Sequence, residues 1–350
     1  LREWAVAGIL WLIPLAWLLP NHHLPWATAW QDGLALLAVA AAALTRRARL
    51  AIPIVWLALG AVVASSVLVQ LMSGVLMFAG DGWMVVLYVG ALLVAIGVGR
   101  APEAASATPG RVAGKSDRLI ASFCIALMAG ALASGLIAVL QWLQQPLLGF
   151  WMIALPPGGR PFGNFGQPNH LSSAAVLGFG ALLWLHQVKR LPDIPLGTLG
   201  MLLLAVIAIS GSRAGILQVV VMLVAAMVFR RRLQLRLRPP IAVAFVVLLL
   251  ALVLAWPPFN ALMSLENARS IEKLASESVR FPTWMMLLQA AMDSPWLGHG
   301  WLQVAKAQWS VAVEVPPIHR MFEHSHNLVV DLFVWVGVPC GVLLLVLVLL

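Results

Sequence analysis

Long apolar runs separated by short polar segments make up most of the chain. A run of about 20 apolar residues crosses a bilayer as one helix, and helices satisfy their own backbone groups there. The pattern predicts an all-α fold: a polytopic transmembrane helical bundle of about ten spans, with a large outer loop that contains interfacial helices. We place the spans near Trp4–Leu19, Leu34–Leu44, Ile52–Met72, Trp83–Val98, Leu119–Trp142, Leu171–Leu185, Leu196–Ile209, Ala214–Phe229, Ile241–Trp256 and Leu328–Leu350.

The composition supports a membrane protein. Of the 350 residues, 62% are hydrophobic and 10% are charged, and the mean hydropathy is +0.95. A soluble globular domain carries about 25% charged residues. These values exclude an ordinary soluble enzyme, a disordered protein and a disulfide scaffold. The two cysteines, Cys124 and Cys340, lie inside apolar runs, so we interpret them as packing residues.

The basic residues are unevenly distributed across the predicted topology. Of the 22 lysines and arginines, 15 lie on the same side as the N-terminus. Short loops rich in Lys and Arg stay in the cytoplasm, so we expect the N-terminus there. The uneven placement of the basic residues that give the net charge of +9 thus orients the protein in the membrane, and no nucleic-acid partner is expected. The 15 residues are Arg2, Arg46, Arg47, Arg49, Arg100, Arg111, Lys115, Arg118, Lys189, Arg190, Arg230, Arg231, Arg232, Arg236 and Arg238.

The opposite side carries the seven remaining basic residues. The positive-inside rule disfavours such charges next to the spans, so they are candidates for another purpose. We therefore expect the chemistry of this protein on its outer face. The seven residues are Arg160, Arg213, Arg269, Lys273, Arg280, Lys306 and Arg320.

One outer segment, residues 159–170, has the composition of a shaped binding loop and is called the glycine loop below. Its glycines and prolines exclude a regular helix or strand, and glycine allows a backbone to approach a ligand closely. We predict substrate binding by five of its polar residues. Asn169 alone is equally well explained as the cap of the following helix. The five are Arg160, Asn164, Gln167, Asn169 and His170.

Two outer arginines are predicted to bind an anion. Arg213 follows the turn Ser210–Ser212 and begins a helix, where backbone donors and the helix dipole favour phosphate. Arg280 precedes Phe281, Trp284, Met285 and Leu288, whose spacing predicts an amphipathic helix on the membrane surface. Snorkelling of Arg213 to water and simple solvation of Arg280 are the alternatives.

The segment Glu323–Asn327, called the histidine segment below, contains His324 and His326 just before the last span. Histidine titrates near neutral pH and suits proton removal from a hydroxyl. Two alternatives remain: a metal site, although zinc usually takes three or four ligands, and interfacial histidines without a role. Asn327 is expected to cap the final helix or to orient an imidazole.

These residues resemble a known family. Pro161–Leu171 closely resembles the signature loop of bacterial protein O-oligosaccharyltransferases, the ligases that glycosylate pilin. Arg213, Arg280–Trp284, Ser294–Gly300 and His324–Asn327 resemble the ligase domain shared with O-antigen ligases and O-antigen polymerases. The resemblance runs in order from about Leu143 to the end, whereas the first 140 residues match only in hydrophobic character.

The resemblance implies a division of the chain and a location. Residues 1–142 would be N-terminal transmembrane helices, and residues 143–350 would be the ligase-family core with a periplasmic loop at about 257–327. Members of the family have about a dozen spans, so we expect further spans beyond residue 350. They are multi-pass proteins of the bacterial inner membrane, with the active site facing the periplasm.

The resemblance also implies a reaction. An oligosaccharide would pass from undecaprenyl diphosphate to a Ser or Thr hydroxyl of a protein such as pilin, with inversion at the sugar carbon and without a metal or cofactor. Arg213 and Arg280 would bind the donor diphosphate, and His326 would be the catalytic base. His324 and the five polar residues of the glycine loop would bind substrate, and membrane lipids would surround the spans.

Other functions remain open at this stage. Within the family, the acceptor could instead be lipid A–core, as for an O-antigen ligase, or a growing glycan, as for an O-antigen polymerase. A membrane transporter or lipid flippase is a more remote alternative. Transporters tend to place ionisable groups at the midplane, often in repeated halves, whereas the candidates here gather at one face and no repeat is visible.

Overall fold

The computed structural model describes residues 2–21, 28–46, 50–106, 116–156, 159–263, 280–314 and 321–350. Of the basic residues that predict the topology, Arg47, Arg49, Arg111, Lys115, Arg269, Lys273 and Arg320 lie outside these ranges. Within them the regular structure is helical, as predicted. The α-helices are α1 (Arg2–Leu10), α2 (Leu12–Ala16), α3 (Ala29–Arg46), α4 (Ile54–Met72), α5 (Ala79–Ser106), α6 (Ser116–Trp142), α7 (Pro168–Gln187), α8 (Asp193–Ser210), α9 (Arg213–Val228), α10 (Pro239–Leu262), α11 (Arg280–Asp293), α12 (Val304–Ser310), α13 (Leu328–Val336) and α14 (Val338–Leu349).

The described helices support a polytopic membrane protein, with fewer full-length spans than predicted. Five of them are long and apolar enough to cross a bilayer: Ile54–Met72, Ala79–Arg100, Leu119–Trp142, Asp193–Ser210 and Pro239–Leu262. Four more are apolar but shorter: Ala5–Ala16, Ala29–Thr45, Arg213–Val228 and Val338–Leu349.

The last predicted span, Leu328–Leu350, is broken into α13 and α14 at Gly337. Gly337 has φ 79°, which ends the helical geometry, and Pro339 then starts a new helix that needs no N–H partner at its second position. A Cβ atom at position 337 would lie 2.5 Å from the Pro295 carbonyl oxygen. The break therefore makes room for another part of the chain, which a hydrophobicity pattern does not reveal.

By its internal contacts the chain forms two compact units. Unit 1 comprises Leu1–Arg47 and Thr108–Lys273, and unit 2 comprises Ala48–Ala107 and Leu274–Leu350. Unit 1 thus contains the glycine loop and Arg213, and unit 2 contains Arg280 and the histidine segment. This division by contact differs from the division at residue 142, which rests on the family resemblance.

The core of unit 1 lies between α6, α7, α8 and α10. Leu182, Leu203 and Leu249 are fully buried there, and Phe179 meets Phe245 edge to face at 5.1 Å. A Cβ on Gly178 of α7 would lie 2.8 Å from the Ala131 methyl group of α6, so the two backbones approach closely. This packing anchors α7, and the glycine loop ends in the first turn of that helix.

Two apolar clusters lie among the described residues of unit 2. One joins α11, α12 and α13 through residues such as Leu287, Val304 and Val334, all fully buried. The other joins α4 to α13 and α14 through residues such as Val63, Val336 and Leu344. The histidine segment runs into α13 and is therefore supported by both clusters.

Candidate functional site

Two glycines give the glycine loop its shape. Gly163 and Gly166 have φ values of 61° and 69°, a left-handed conformation that residues with a Cβ rarely adopt. A Cβ on Gly163 would lie 3.0 Å from the Ser134 carbonyl oxygen, and one on Gly166 would lie 3.1 Å from Asn21 Nδ2. The loop thus presses its backbone against its neighbours at both positions.

Gln141, near the C-terminal end of α6, forms hydrogen bonds with the glycine loop. Its Nε2 donates to the carbonyl oxygens of Ile153 (2.8 Å) and Gly163 (2.6 Å). Its Oε1 accepts from the backbone N–H groups of Phe162 (3.1 Å) and Gly163 (2.8 Å). Gln141 is 1% exposed. Its amide provides hydrogen-bond partners for buried backbone groups of an irregular loop, which has no helix or sheet to provide them.

Asn164, a predicted substrate-binding residue, is fully buried. Its Nδ2 donates to the carbonyl oxygens of Leu18 (2.7 Å) and Trp151 (2.8 Å), and its Oδ1 accepts from Ile153 N at 3.3 Å. Every donor and acceptor group of the amide is thereby used within the protein. We therefore assign Asn164 to the framework of the loop rather than to its exposed surface.

Arg160 connects the glycine loop to the turn that precedes α9. Its Nη1 donates to the Gly211 carbonyl oxygen at 2.8 Å. Gly211 is the C-cap of α8, with φ 60°, so the guanidinium lies where a helix C-terminus favours positive charge. Two segments that are 51 residues apart in sequence are thereby joined in unit 1.

Arg213 is the first residue of α9, as predicted. Ser212 caps the helix by accepting from Gly215 N at 3.3 Å, and the Arg213 side chain is exposed. A helix N-terminus disfavours a cation but attracts anions. An arginine there combines its own charge with the backbone donors of the helix toward an anionic ligand.

The remaining glycine-loop candidates lie at the start of α7. Gln167 and Asn169 are half-buried, and His170 is exposed. The alternative explanation of Asn169, as the cap of this helix, is wrong: α7 begins at Pro168, Gln167 is the N-cap, and no side-chain cap bond forms. Pro168 sets the first turn by its fixed φ, which moves Asn169 inside the helix.

Arg280 is exposed and begins α11 as far as this helix is described. Two residues of the predicted amphipathic face, Phe281 and Met285, are 66% and 54% exposed. The other two, Trp284 and Leu288, are partly buried against an apolar cluster of unit 2. The packed face instead contains Thr283 and Leu287. An apolar face exposed in this way is compatible with the predicted contact with the membrane surface.

The histidine segment is fixed at its central residue, Ser325, which is 1% exposed. Its backbone N–H donates to Asp331 Oδ1 at 2.8 Å, and its carbonyl oxygen accepts from Trp284 Nε1 at 2.8 Å. Asn327 caps α13 as predicted, because its Oδ1 accepts from Val329 N at 3.1 Å. His326, between these anchored residues, is exposed and has φ 59°.

His324 is exposed but also contacts an aromatic ring. Its imidazole meets the Trp335 ring edge to face at 6.4 Å, and Trp335 in turn stacks against Trp301 at 5.6 Å. The side chain is thus held at one edge. Among the described residues, no group of three His, Cys, Asp or Glu side chains is arranged to hold a metal ion, so the metal hypothesis gains no support.

A second buried glutamine, Gln70 of α4, supports the region of the α13–α14 break. Its Nε2 donates to the carbonyl oxygens of Leu297 and Trp335, both at 2.7 Å. Its Oε1 accepts from Trp301 N at 3.2 Å. The turn Ser294–Gly300 is thereby fastened beside α13.

Sequence reasoning missed the polar residues that hold the site: Gln70, Gln141, Asp331 and the indole of Trp284. Gln70, Gln141 and Asp331 were detectable in principle, because each is a polar residue in an otherwise apolar run. Polar groups in such runs are costly and have a specific purpose.

Comparisons with known proteins support the resemblance. The O-antigen ligase family matches residues 198–345, and the protein glycosylation ligase family matches residues 161–186. A general O-oligosaccharyltransferase of Acinetobacter baylyi is 27% identical over 348 residues, which cover 93% of this chain and 57% of that protein. The ComP-specific O-oligosaccharyltransferase of the same organism is 28% identical over 219 residues, 62% of this chain and 39% of that protein. No solved structure matches the chain.

These matches cover more of the chain than the motifs that carry the resemblance. The alignment with the general enzyme covers most of the chain. It includes the N-terminal helices, whose predicted resemblance to the family was limited to hydrophobic character. The chain spans a little over half of that relative's length. The predicted resemblance is confirmed: residues 198–345 match the O-antigen ligase family, and residues 161–186 match the protein glycosylation ligase family.

Proposed function

We propose that this chain acts as part of a membrane glycosyltransferase, which moves an oligosaccharide from undecaprenyl diphosphate to a Ser or Thr hydroxyl of a protein. The observation that carries the proposal is a pair of exposed arginines, Arg213 and Arg280, each at the first position of a helix as far as these helices are described. The N-terminus of α9 favours a phosphate-bearing ligand at Arg213, and the planar guanidinium fork of both arginines matches phosphate. Two relatives from Acinetobacter baylyi carry the name O-oligosaccharyltransferase.

The arginines stabilise the leaving group. As the sugar C1–O bond to the diphosphate breaks, its electron pair and negative charge remain on the undecaprenyl diphosphate. Fixed positive groups lower the energy of that charge without needing to be protonated or reorganised. The reaction therefore needs neither a metal nor a nucleotide.

His326 is the proposed base. Its imidazole takes the proton of the acceptor hydroxyl while the oxygen forms the new bond to the sugar C1. With no covalent enzyme intermediate, the displacement takes place once and inverts the sugar carbon. His324, Arg160, Gln167, Asn169 and His170 are proposed to contact the substrates, and Asn164 maintains the loop that presents four of them.

The proposed location is the inner membrane, with the site facing the periplasm. The support for it is the surplus of basic residues on the N-terminal side of the spans. The donor lipid would reach the site from the surrounding bilayer.

A second candidate acceptor is lipid A–core, because residues 198–345 match the family described as O-antigen ligase. The glycine loop favours protein, because residues 161–186 match the family described as protein glycosylation ligase. A growing glycan chain is the third candidate.

The experiment is transfer in vitro by the full-length protein in membranes, with a radiolabelled undecaprenyl diphosphate oligosaccharide. Purified pilin, lipid A–core and free oligosaccharide are offered in separate reactions. We expect label on a pilin Ser or Thr, without added divalent cation and in the presence of a chelator. Label on lipid A–core alone would assign the ligase function, and no transfer to any acceptor would refute the proposal.

A further inference from the structure

Ser325 is fixed through every polar atom it has. Besides the bonds to Asp331 and Trp284, its Oγ donates to the Asn327 carbonyl oxygen at 2.9 Å and accepts from Asn327 N at 3.0 Å. Asn327 is fixed as well, because its carbonyl oxygen accepts from Asp331 N at 2.9 Å. The residues on both sides of His326 are therefore immobilised.

This arrangement sets the backbone of His326. A left-handed φ of 59° is uncommon for a residue with a Cβ, although histidine adopts it more readily than most. Such a conformation persists where the surrounding structure over-determines it. Here the flanking bonds of Ser325 and Asn327 do so, and the His326 side chain is exposed.

Asp331 is the buried end of this arrangement. Its side chain is 6% exposed, in the first turn of an otherwise apolar helix. A carboxylate in the apolar interior is costly unless it is hydrogen-bonded, and helix packing alone would be served by any apolar residue. The carboxylate accepts a hydrogen bond from Ser325 N, which offsets part of the cost of its burial. The N-terminus of α13 also favours its negative charge.

Trp284 is the second support, and it comes from another helix. Its indole packs against the apolar cluster of α11, α12 and α13, and its Nε1 donates to Ser325. Trp284 lies four residues after Arg280, on the same side of α11. One hydrogen bond thus links the helix of Arg280 to the segment of His326, within unit 2.

We propose that Asp331 and Trp284 are positioning residues, which act through Ser325 to hold His326 at a fixed place relative to Arg280. The inference rests on the proposed function, in which His326 is the base and Arg280 binds the diphosphate. It adds two residues that contact neither substrate. They determine the position of the proposed base, His326, relative to Arg280, which is proposed to bind the diphosphate.

The first test is kinetic and uses the full-length protein. We expect Asp331→Ala to lower kcat by about tenfold or more, a fraction of what a base contributes, with the KM for the donor nearly unchanged. Asp331→Asn keeps an acceptor oxygen for Ser325 N and should retain most of the activity. Trp284→Phe keeps the ring but loses the donor, and should also lower kcat. Trp83→Phe, an exposed tryptophan of α5, is the matched control and should have no effect.

A cycle with His326 distinguishes positioning from an independent role. If Asp331 acts through His326, Asp331→Ala causes no further loss in a His326→Ala background. A double variant that falls below His326→Ala by the full factor of Asp331→Ala would overturn the proposal, while the base assignment would stand. Should Asp331→Ala fail to fold, Trp284→Phe takes its place in the cycle.

A readout without catalysis separates this inference from the proposed function. In a background of Cys124→Ala and Cys340→Ala, His326→Cys provides one thiol whose alkylation rate reports the conformation of the segment. We expect Asp331→Ala or Trp284→Phe to raise that rate at least about fivefold, because either change removes a hydrogen bond that holds Ser325, the residue before position 326. Equal rates would refute positioning even if His326 proves to be the base; changed rates with an active His326→Ala protein would refute only the base.

Discussion

Gln141 binds Gly163 through both edges of its side-chain amide: Nε2 donates to the Gly163 carbonyl oxygen at 2.6 Å, and Oε1 accepts from Gly163 N at 2.8 Å. This is the pairing that a neighbouring strand would make, provided here by one side chain at the end of a membrane helix. The glycine loop therefore has a defined conformation before any substrate binds.

The first prediction concerns this bond. Gln141→Leu leaves several buried backbone groups of the loop without a partner, each costing about 1–3 kcal/mol. We expect the free energy of unfolding to fall by at least about 2 kcal/mol and glycan transfer to be lost. The measurement is thermal unfolding in detergent beside the transfer assay. Gln145→Leu, which removes an exposed glutamine of the same segment, is the control; equal effects of the two variants would contradict the prediction.

The second prediction concerns the break between α13 and α14. Gly337→Ala introduces a Cβ that would lie 2.5 Å from the Pro295 carbonyl oxygen, at a φ of 79°. Backbone strain and overpacking together should cost about 2–4 kcal/mol. Gly99→Ala, in α5 where a Cβ meets no atom within 4 Å, should be neutral or stabilising. Unfolding midpoints of the two variants provide the measurement, and a fully stable Gly337→Ala protein would show that the break is not required.

The sequence predicted the positions of the helices better than their continuity. Apolar runs located each span, because burial in lipid requires them. Pro14 lies four residues after Leu10 and removes the backbone N–H that would bond to the Leu10 carbonyl oxygen. Gly337 is in close contact with Pro295, a distant part of the chain. Hydrophobicity alone carries neither piece of information.

The same distinction applies to the candidate site. The start of α9 at Arg213 and the Asn327 cap followed from local rules of helix ends, and both are confirmed. Asn164 has a residue type suited to binding, yet its burial was not foreseeable, because its partners at Leu18 and Trp151 come from other segments. Residue type indicated which segments matter, and tertiary contacts determined which side chains remain exposed.

The third prediction tests the two arginines. Arg213→Ala or Arg280→Ala should weaken transition-state stabilisation by about 2–5 kcal/mol, the range for removing one partner of a desolvated charged pair. Arg→Lys at either position should recover only part of the activity, because the planar fork is lost. Arg231→Ala, an exposed arginine of the predicted cytoplasmic side, is the control. The decisive measurement is donor binding: unchanged binding by the double alanine variant would rule out the assignment.

The fourth prediction concerns topology. In a background of Cys124→Ala and Cys340→Ala, we expect Arg280→Cys to react with a membrane-impermeant maleimide in intact spheroplasts. Arg231→Cys should react only after the membrane is permeabilised, because its segment belongs to the basic, cytoplasmic side. The reverse pattern would refute the orientation and the periplasmic reaction with it.

The last prediction assigns the base to His326 rather than to His324. Both side chains are exposed, but the backbone of His326 is held between Ser325 and Asn327, whereas His324 is held through a ring contact with Trp335. A base must stay within about 2.6–3.2 Å of the hydroxyl and contributes about 10²–10⁴-fold to the rate. We therefore expect His326→Ala to lower turnover by about that factor with donor binding nearly intact, and His324→Ala to be milder. Transfer is measured at equal membrane abundance. An active His326→Ala protein beside an inactive His324→Ala protein would reverse the assignment, and two active variants would exclude both histidines of the segment as the base.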